Sequence, residues 1–123
     1  MTLGSTLPMS DVVALSGRER IWLGGNDLKS KRLFAAIAGE SERPPHGPID
    51  VALIAAIDSD EAIYFLAKLA ARLAPQGRVW IALPDEADAE SSLQLATDTA
   101  WRIVHRVRVK EQCQVYCVLR ATQ

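Results

Sequence analysis

The sequence predicts a three-layer α/β/α sandwich of about five strands, mostly parallel, with an antiparallel hairpin at the C-terminal end. Residues 49–55 and 78–83 are almost continuously apolar, which is typical of parallel strands buried on both faces. An amphipathic helix between these runs supplies the long connection that parallel strands require. Residues 102–109 alternate apolar and polar over their second half, and a short polar connection joins them to the run 113–120, which predicts the hairpin.

The connecting helix has clear start and stop signals. Asp58 is the predicted N-cap, and Glu61, three residues on, completes a capping box. Apolar residues recur at three- and four-residue spacing as far as Leu73, which places one apolar stripe against the sheet. Pro75 and Gly77 end the helix. We expect this connection to be right-handed, as nearly all such crossovers are.

The first part of the chain predicts one more strand and helix. Residues 10–15 are predicted as a short helix, and residues 18–24 as a strand ending in Gly24. A tight turn follows, in which Asn26 or Asp27 caps a helix that Gly39 ends. Beyond the second apolar run, residues 85–90 are acidic, and residues up to 100 have a modest helical face.

Composition indicates one ordinary soluble domain over residues 1–123, with an N-terminal segment, 1–16, and a core, 18–120. The net charge of −1 argues against nucleic acid and anionic membranes as partners. No apolar run reaches membrane-spanning length, and the N-terminus lacks the features of a secretory leader. We therefore expect a cytoplasmic location.

The two cysteines are interpreted as small buried side chains on one strand. Cys113 and Cys117 are four residues apart, which separates their Cα atoms by about 13 Å in a strand. A disulfide needs less than about 7 Å, so none is expected. Two thiols alone are also an incomplete metal site.

Candidate ligand-binding residues follow the predicted strands, because ligands in open α/β sheets bind at the carboxyl ends of strands. A turn with a helix cap, or acids in a first helical turn, would explain the same residues without any ligand. The acids after the second and third strands form a rim that could hold a hard cation, but no spacing is diagnostic and no metal is expected. The candidates are Gly24, Gly25, Asn26, Asp27, Asp58 and Asp85.

Other polar and aromatic residues give no specific signal. His105 is expected to be half-buried and hydrogen-bonded on a strand, and no catalytic residue is assigned. Arginines and a lysine form a basic strip along the outer side of the hairpin, which is interpreted as a solvated face. The tryptophans are interpreted as packing residues. These two sets are Arg102, Arg106, Arg108 and Lys110, and Trp22, Trp80 and Trp101.

The order of elements resembles the Rossmann-like fold of class I S-adenosylmethionine-dependent methyltransferases over residues 18–120. The resemblance is carried by a strand with a glycine turn, a strand beginning Ile49-Asp50-Val51, and Leu73-Ala74-Pro75-Gln76-Gly77 before an apolar strand. The segment 78–84, with its central Trp80, is similar to a small bacterial family of uncharacterised, abbreviated methyltransferase-like domains. The resemblance implies that the first strand lies at one edge of the sheet.

The sequence differs from that family at two places, and these differences determine which function we expect. The turn Leu23-Gly24-Gly25-Asn26-Asp27 lacks the family's third glycine, and the nine residues between Gly39 and Ile49 are too few for the strand that carries the ribose-binding acid. We therefore expect no cofactor, with S-adenosylmethionine kept as the less favoured possibility, and a non-catalytic module for self-association or protein interaction. The alternatives are a binding protein for a nucleotide or adenosyl compound, and a methyltransferase that a partner completes.

An uncovered first strand would be an aggregation hazard, because its edge would be open and apolar. Ile21, Trp22 and Leu23 make up this strand. We expect its edge to be covered by residues 1–16 or by a second copy of the chain, which predicts a homodimer or a protein partner.

Overall fold

The computed structural model describes residues 7–38, 47–84, 101–110 and 113–121. Strands β1, β2 and β3 are parallel, β5 pairs antiparallel with β3, and β4 pairs antiparallel with β5. The sheet order is β1-β2-β3-β5-β4, which confirms the predicted fold class. The elements are α1 (Met9–Val12), β1 (Ile21–Gly24), α2 (Leu28–Ala38), β2 (Ile49–Ala55), α3 (Ser59–Leu69), β3 (Leu73–Pro84), β4 (Trp101–Val109) and β5 (Cys113–Arg120).

The two longer helices cover opposite faces of the sheet. Phe34 of α2 packs on the face that carries Val51 and Leu53. Leu66 of α3 packs on the face that carries Ile54. Because β2 alternates between these two apolar layers, almost every one of its residues is buried, and this explains its continuous apolar sequence.

The connections through α2 and α3 have opposite hands. Strands β1, β2 and β3 are parallel neighbours in that order, so both connections step in the same direction across the sheet. Two such connections of the same hand would place both helices on one face, whereas α2 and α3 lie on different faces. If the α3 connection has the expected right hand, the α2 connection has the rare left hand.

The described part of the N-terminal segment, residues 7–16, lies over the α2 face and not over the edge of β1. Met9 and Val13 are buried in the apolar layer on this face. The backbone N–H of Lys110, just after β4, donates to the carbonyl of Leu7 at 3.0 Å. Helix α1 starts one residue earlier than predicted, and Pro8 occupies its N-cap position without a side-chain hydrogen bond.

The helix-to-strand boundary before β3 differs from the prediction. Helix α3 ends at Leu69, and Leu73 already pairs with Ile49 of β2. The pairing then shifts register, because Val51 pairs with Arg78 and residues 74–77 lie between the two paired positions. The predicted helix stop at Pro75 is therefore wrong, while the regular pairing begins at Arg78 as predicted.

The hairpin is confirmed, but an irregularity in β4 changes which residues share a face. The register shifts between Ile103 and His105, so Ile103 packs with the α3 layer and Val107 with the α2 layer. A regular strand would place Ile103 and Val107 on one face, but one extra residue reverses the alternation and separates them. His105 is exposed, which corrects the expectation that it is half-buried.

Several packing expectations are confirmed. Cys113 and Cys117 are buried thiols that form no disulfide, and burial raises the pKa of the Cys117 thiol to about 11. Trp80 and Trp101 are also buried, while Trp22 is half-buried. No helix in the described part of the chain is long and apolar enough to cross a membrane.

Candidate functional site

The turn after β1 is pressed against the end of β2. Gly25 has a φ of +108°, and a Cβ added to it would lie 2.0 Å from the carbonyl oxygen of Ala55. The same carbonyl accepts a hydrogen bond from the N–H of Asp27 at 3.1 Å. Only glycine combines this backbone conformation with this close approach, so the sequence Gly24-Gly25 fixes the shape of the turn.

The carboxylate of Glu61 joins this turn to the loop between β2 and α3. One of its oxygens, Oε1, accepts hydrogen bonds from the backbone N–H groups of Asn26 and Ile57, both at 3.0 Å. The other, Oε2, accepts from the side-chain amide of Asn26. Hydrogen bonds to a carboxylate are stronger than those between neutral groups, so Glu61 holds the two loops in one arrangement.

Two of the predicted site residues also begin helices. The side chain of Asp58 accepts from the N–H of Glu61 at 2.8 Å, which confirms the predicted N-cap of α3. The carbonyl of Asp27 accepts from the N–H of Lys31 at 2.9 Å, in the first turn of α2. Both carboxylates therefore lie near helix N-termini, where negative charge is favourable.

The structure thus brings together most of the residues predicted for the site. Gly25, Asn26 and Asp27 meet the residues at the end of β2, while Asp85 and the acids that follow it lie outside the described residues. Glu61 was predicted only as part of a capping box. Its contact with Asn26 spans 35 positions of sequence, and the only signal for it was the Asp-x-x-Glu spacing.

The site is flanked by exposed apolar side chains. Leu28 at the start of α2 is 67% exposed, and Ile57 in the β2–α3 loop is 47% exposed. Two open cavities of about 320 and 350 Å³ lie at the other end of the sheet, around Pro75. Among the described residues, no group of three or more His, Cys, Asp or Glu side chains is placed to hold a metal ion.

An acid with a shifted pKa lies at the amino ends of the strands. The carboxylate of Glu19 accepts from the backbone N–H groups of Ser16 and Gly17 at 2.9–3.0 Å. The hydrogen bond from Ser16 is the main reason that the pKa of Glu19 falls to about 2. Arg78 lies 3.7 Å from the same carboxylate. This group orders the entry into β1 and is separate from the turn after it.

Comparison with solved structures identifies the fold. The chain is similar to ribosomal protein L11 methylase from Lactobacillus delbrueckii subsp. bulgaricus, with a TM-score of 0.53 and 14% identity, over 80% of this chain and 57% of that one. It is also similar to mitomycin 7-O-methyltransferase, with a TM-score of 0.58 and 15% identity, over 92% of this chain and 52% of that one. The chain thus spans little more than half the length of these enzymes. No family model and no curated protein matches the sequence.

The expectation of no cofactor is wrong. It rested on the missing third glycine and the missing ribose-binding acid, but the structural neighbours are methyltransferases of the S-adenosylmethionine-dependent class. The fold is therefore one that methyltransferases have, even though the local sequence motifs differ. The chain has the Rossmann-like fold of class I methyltransferases.

Proposed function

We propose that this domain binds an adenosyl compound between the turn 24–27 and the loop 56–61. The observation that carries this proposal is the position of the Glu61 carboxylate beside the glycine turn. The family's acid sits on a strand that has no counterpart among the described strands, and Glu61 places a carboxylate beside the same turn from another element. The site lies at the carboxyl ends of β1 and β2, where open α/β sheets bind ligands.

The residues around Glu61 suit the parts of such a ligand. A carboxylate can accept more hydrogen bonds than the three N–H donors that Glu61 already holds, so it can also take a ribose hydroxyl. The exposed side chains of Leu28 and Ile57 offer apolar surface to a purine base. Asp27 and Asp58 add negative charge, which favours an amino or sulfonium group. When bound, S-adenosylmethionine would supply an electrophilic methyl group.

The proposal is tested by thermal unfolding with and without millimolar S-adenosylhomocysteine. Ligand at about 100 times its dissociation constant adds about 2.7 kcal/mol to stability, which raises Tm by roughly 5 to 15 °C for a domain of this size. Adenosine and methionine, tested separately, show which half of the ligand is recognised. No shift with S-adenosylhomocysteine would refute the proposal.

Two variants test the part played by Glu61. Glu61→Gln keeps an acceptor for Asn26 and Ile57 but removes the charge, and we expect at least about a tenfold loss of affinity. Asp60→Asn is the matched control, because Asp60 is exposed in the same helical turn, and we expect it to keep the full shift. Equal losses in both variants would indicate a general charge effect and would exclude recognition by Glu61.

A second candidate is a methyltransferase that a partner completes. The observation that favours it is length, since the chain covers only 52–57% of the neighbouring enzymes and so lacks residues that those enzymes have. If the domain binds S-adenosylhomocysteine but transfers no methyl group alone, activity that appears only with an added partner would support this candidate. Binding without activity under either condition would leave a non-catalytic binding domain.

A further inference from the structure

The outer edge of β1 has backbone groups free to pair with another strand. In a parallel ladder, alternate residues direct both backbone groups to the same neighbour. The carbonyl of Arg20 accepts from the N–H groups of Asp50 and Val51 of β2, so Trp22 and Gly24 also face β2. The backbone N–H and C=O groups of Ile21 and Leu23 therefore point away from β2, toward the outer edge of the sheet. Within the described ranges, no other segment pairs with β1 on that side.

The two edges of the sheet differ in how they are protected. Strand β4, at the opposite edge, has a register irregularity and the exposed side chains of Arg102, Arg106 and Arg108. Charges and bulges of this kind discourage pairing with another chain. The residues Ile21-Trp22-Leu23-Gly24 include no charge, no proline and no register shift. Between the two edges that the described residues form, that of β1 is the less protected against strand addition.

A cluster of three aromatic side chains lies beside the edge of β1. The rings of Trp22 and Phe65 are 5.4 Å apart, and Tyr64 lies 5.4 Å from Phe65 in an edge-on arrangement. Trp22 and Phe65 are half-buried, and Tyr64 is 55% exposed. Partly exposed aromatic rings are enriched in protein interfaces. The cluster of Trp22, Tyr64 and Phe65 lies on the α3 face beside the unpaired strand.

We infer that a second copy of this chain pairs antiparallel with β1, which extends the sheet across a two-fold axis. Charge favours this occupant. The amino end of β1 is preceded by the exposed Arg18 and Arg20. Arg20 lies 3.7 Å from Asp50, and the Glu19 carboxylate lies 3.7 Å from Arg78, so the net positive charge at this end is that of Arg18. Asp27 and Asp60 lie beyond the carboxyl end of the strand. Antiparallel pairing brings the basic end of one copy to the acidic end of the other. The described N-terminal segment lies over the α2 face and contacts β4, so it leaves this edge available.

The test is sedimentation of the full chain from low micromolar to several hundred micromolar concentration. We expect a monomer–dimer equilibrium that Tyr64→Glu weakens by at least about tenfold in Kd, since aromatic side chains dominate interface energies. The substitution suits the helix, because a glutamate four residues before Lys68 forms a favourable pair. The control is Val104→Glu, which places the same charge at a 43% exposed position on the β4 edge.

Hydrogen exchange supplies an independent readout. The amides of Ile21 and Leu23 should exchange more slowly as the protein concentration rises, while the amides of β4 should not change. A strict monomer at the highest concentration would overturn the inference. So would a dimer that Val104→Glu dissociates and Tyr64→Glu does not, because the interface would then lie at the opposite edge.

Discussion

Gly25 and Gly17 provide a matched pair for testing the packing of the turn after β1. Both have positive φ, +108° and +90°, but a Cβ at Gly17 would meet nothing within 4 Å. Gly17→Ala should therefore cost only the backbone strain, about 1 to 2 kcal/mol. Gly25→Ala adds a clash with the backbone of Ala55, and we expect a loss of at least about 3 kcal/mol. Urea unfolding measures both, and equal losses would contradict the close approach.

Glu19 should make stability depend on pH in acid. Its pKa is about 2 in the folded protein, against a usual value of 4.5. Between these values the unfolded chain binds a proton that the folded protein does not, so the free energy of unfolding falls as pH falls from 4.5 to 2. Glu19→Gln should flatten this part of the stability profile. Identical profiles for the two proteins would show that the hydrogen bonds from Ser16 and Gly17 contribute nothing.

Glu61 shows which contacts of a single residue can be predicted from the sequence. The spacing to Asp58 predicted a capping box, and the half of it in which Asp58 accepts from the N–H of Glu61 is present. The other half is replaced, because the Glu61 carboxylate reaches Ile57 and Asn26. A local pattern reveals local hydrogen bonds. The contact between Glu61 and Asn26 joins the loops that follow two neighbouring strands. It depends on which strands are neighbours, and the Asp-x-x-Glu spacing carries no information about that.

At the scale of the element, α3 offers a direct test of its cap. Asp58→Ala removes the acceptor for the N–H of Glu61 and should cost about 1 kcal/mol in urea unfolding. The control is Asp60→Ala, which removes a charge from the same first turn but no hydrogen bond to Glu61, and should cost only a few tenths of a kcal/mol. A control as costly as the cap variant would show that charge, and not capping, stabilises the start of α3.

Elements were predictable where their periodicity is uninterrupted. The bounds of β2, 49–55, match the prediction because every residue of the strand except Asp50 lies in one of two apolar layers. The prediction failed where a strand is irregular. Leu73 pairs with β2 before residues 74–77 interrupt the ladder, and the extra residue in β4 reverses its alternation. Neither irregularity changes the composition of the segment, so neither leaves a signal in the sequence.

At the scale of the whole molecule, the sheet topology could be predicted because buried segments have apolar sequences. Two apolar runs, one amphipathic helix and one hairpin were enough to predict the mixed sheet, and the resemblance placed β1 at its edge. The cofactor expectation failed because it rested on motifs, whereas the fold does not depend on them. The open edge of β1 predicts a dimer, and sedimentation of the full chain measures it.

The opposite hands of the two connections have a consequence for protein engineering. A right-handed unit added after α2 would place its new strand against the free side of β1, since α2 lies on the face from which such a unit departs. The stretch between Ala38 and Ile49 is therefore where a grafted strand–helix segment would enlarge the sheet while leaving every existing strand pair intact. The segment between α2 and β2 is thus the place where an inserted strand and helix would extend the sheet.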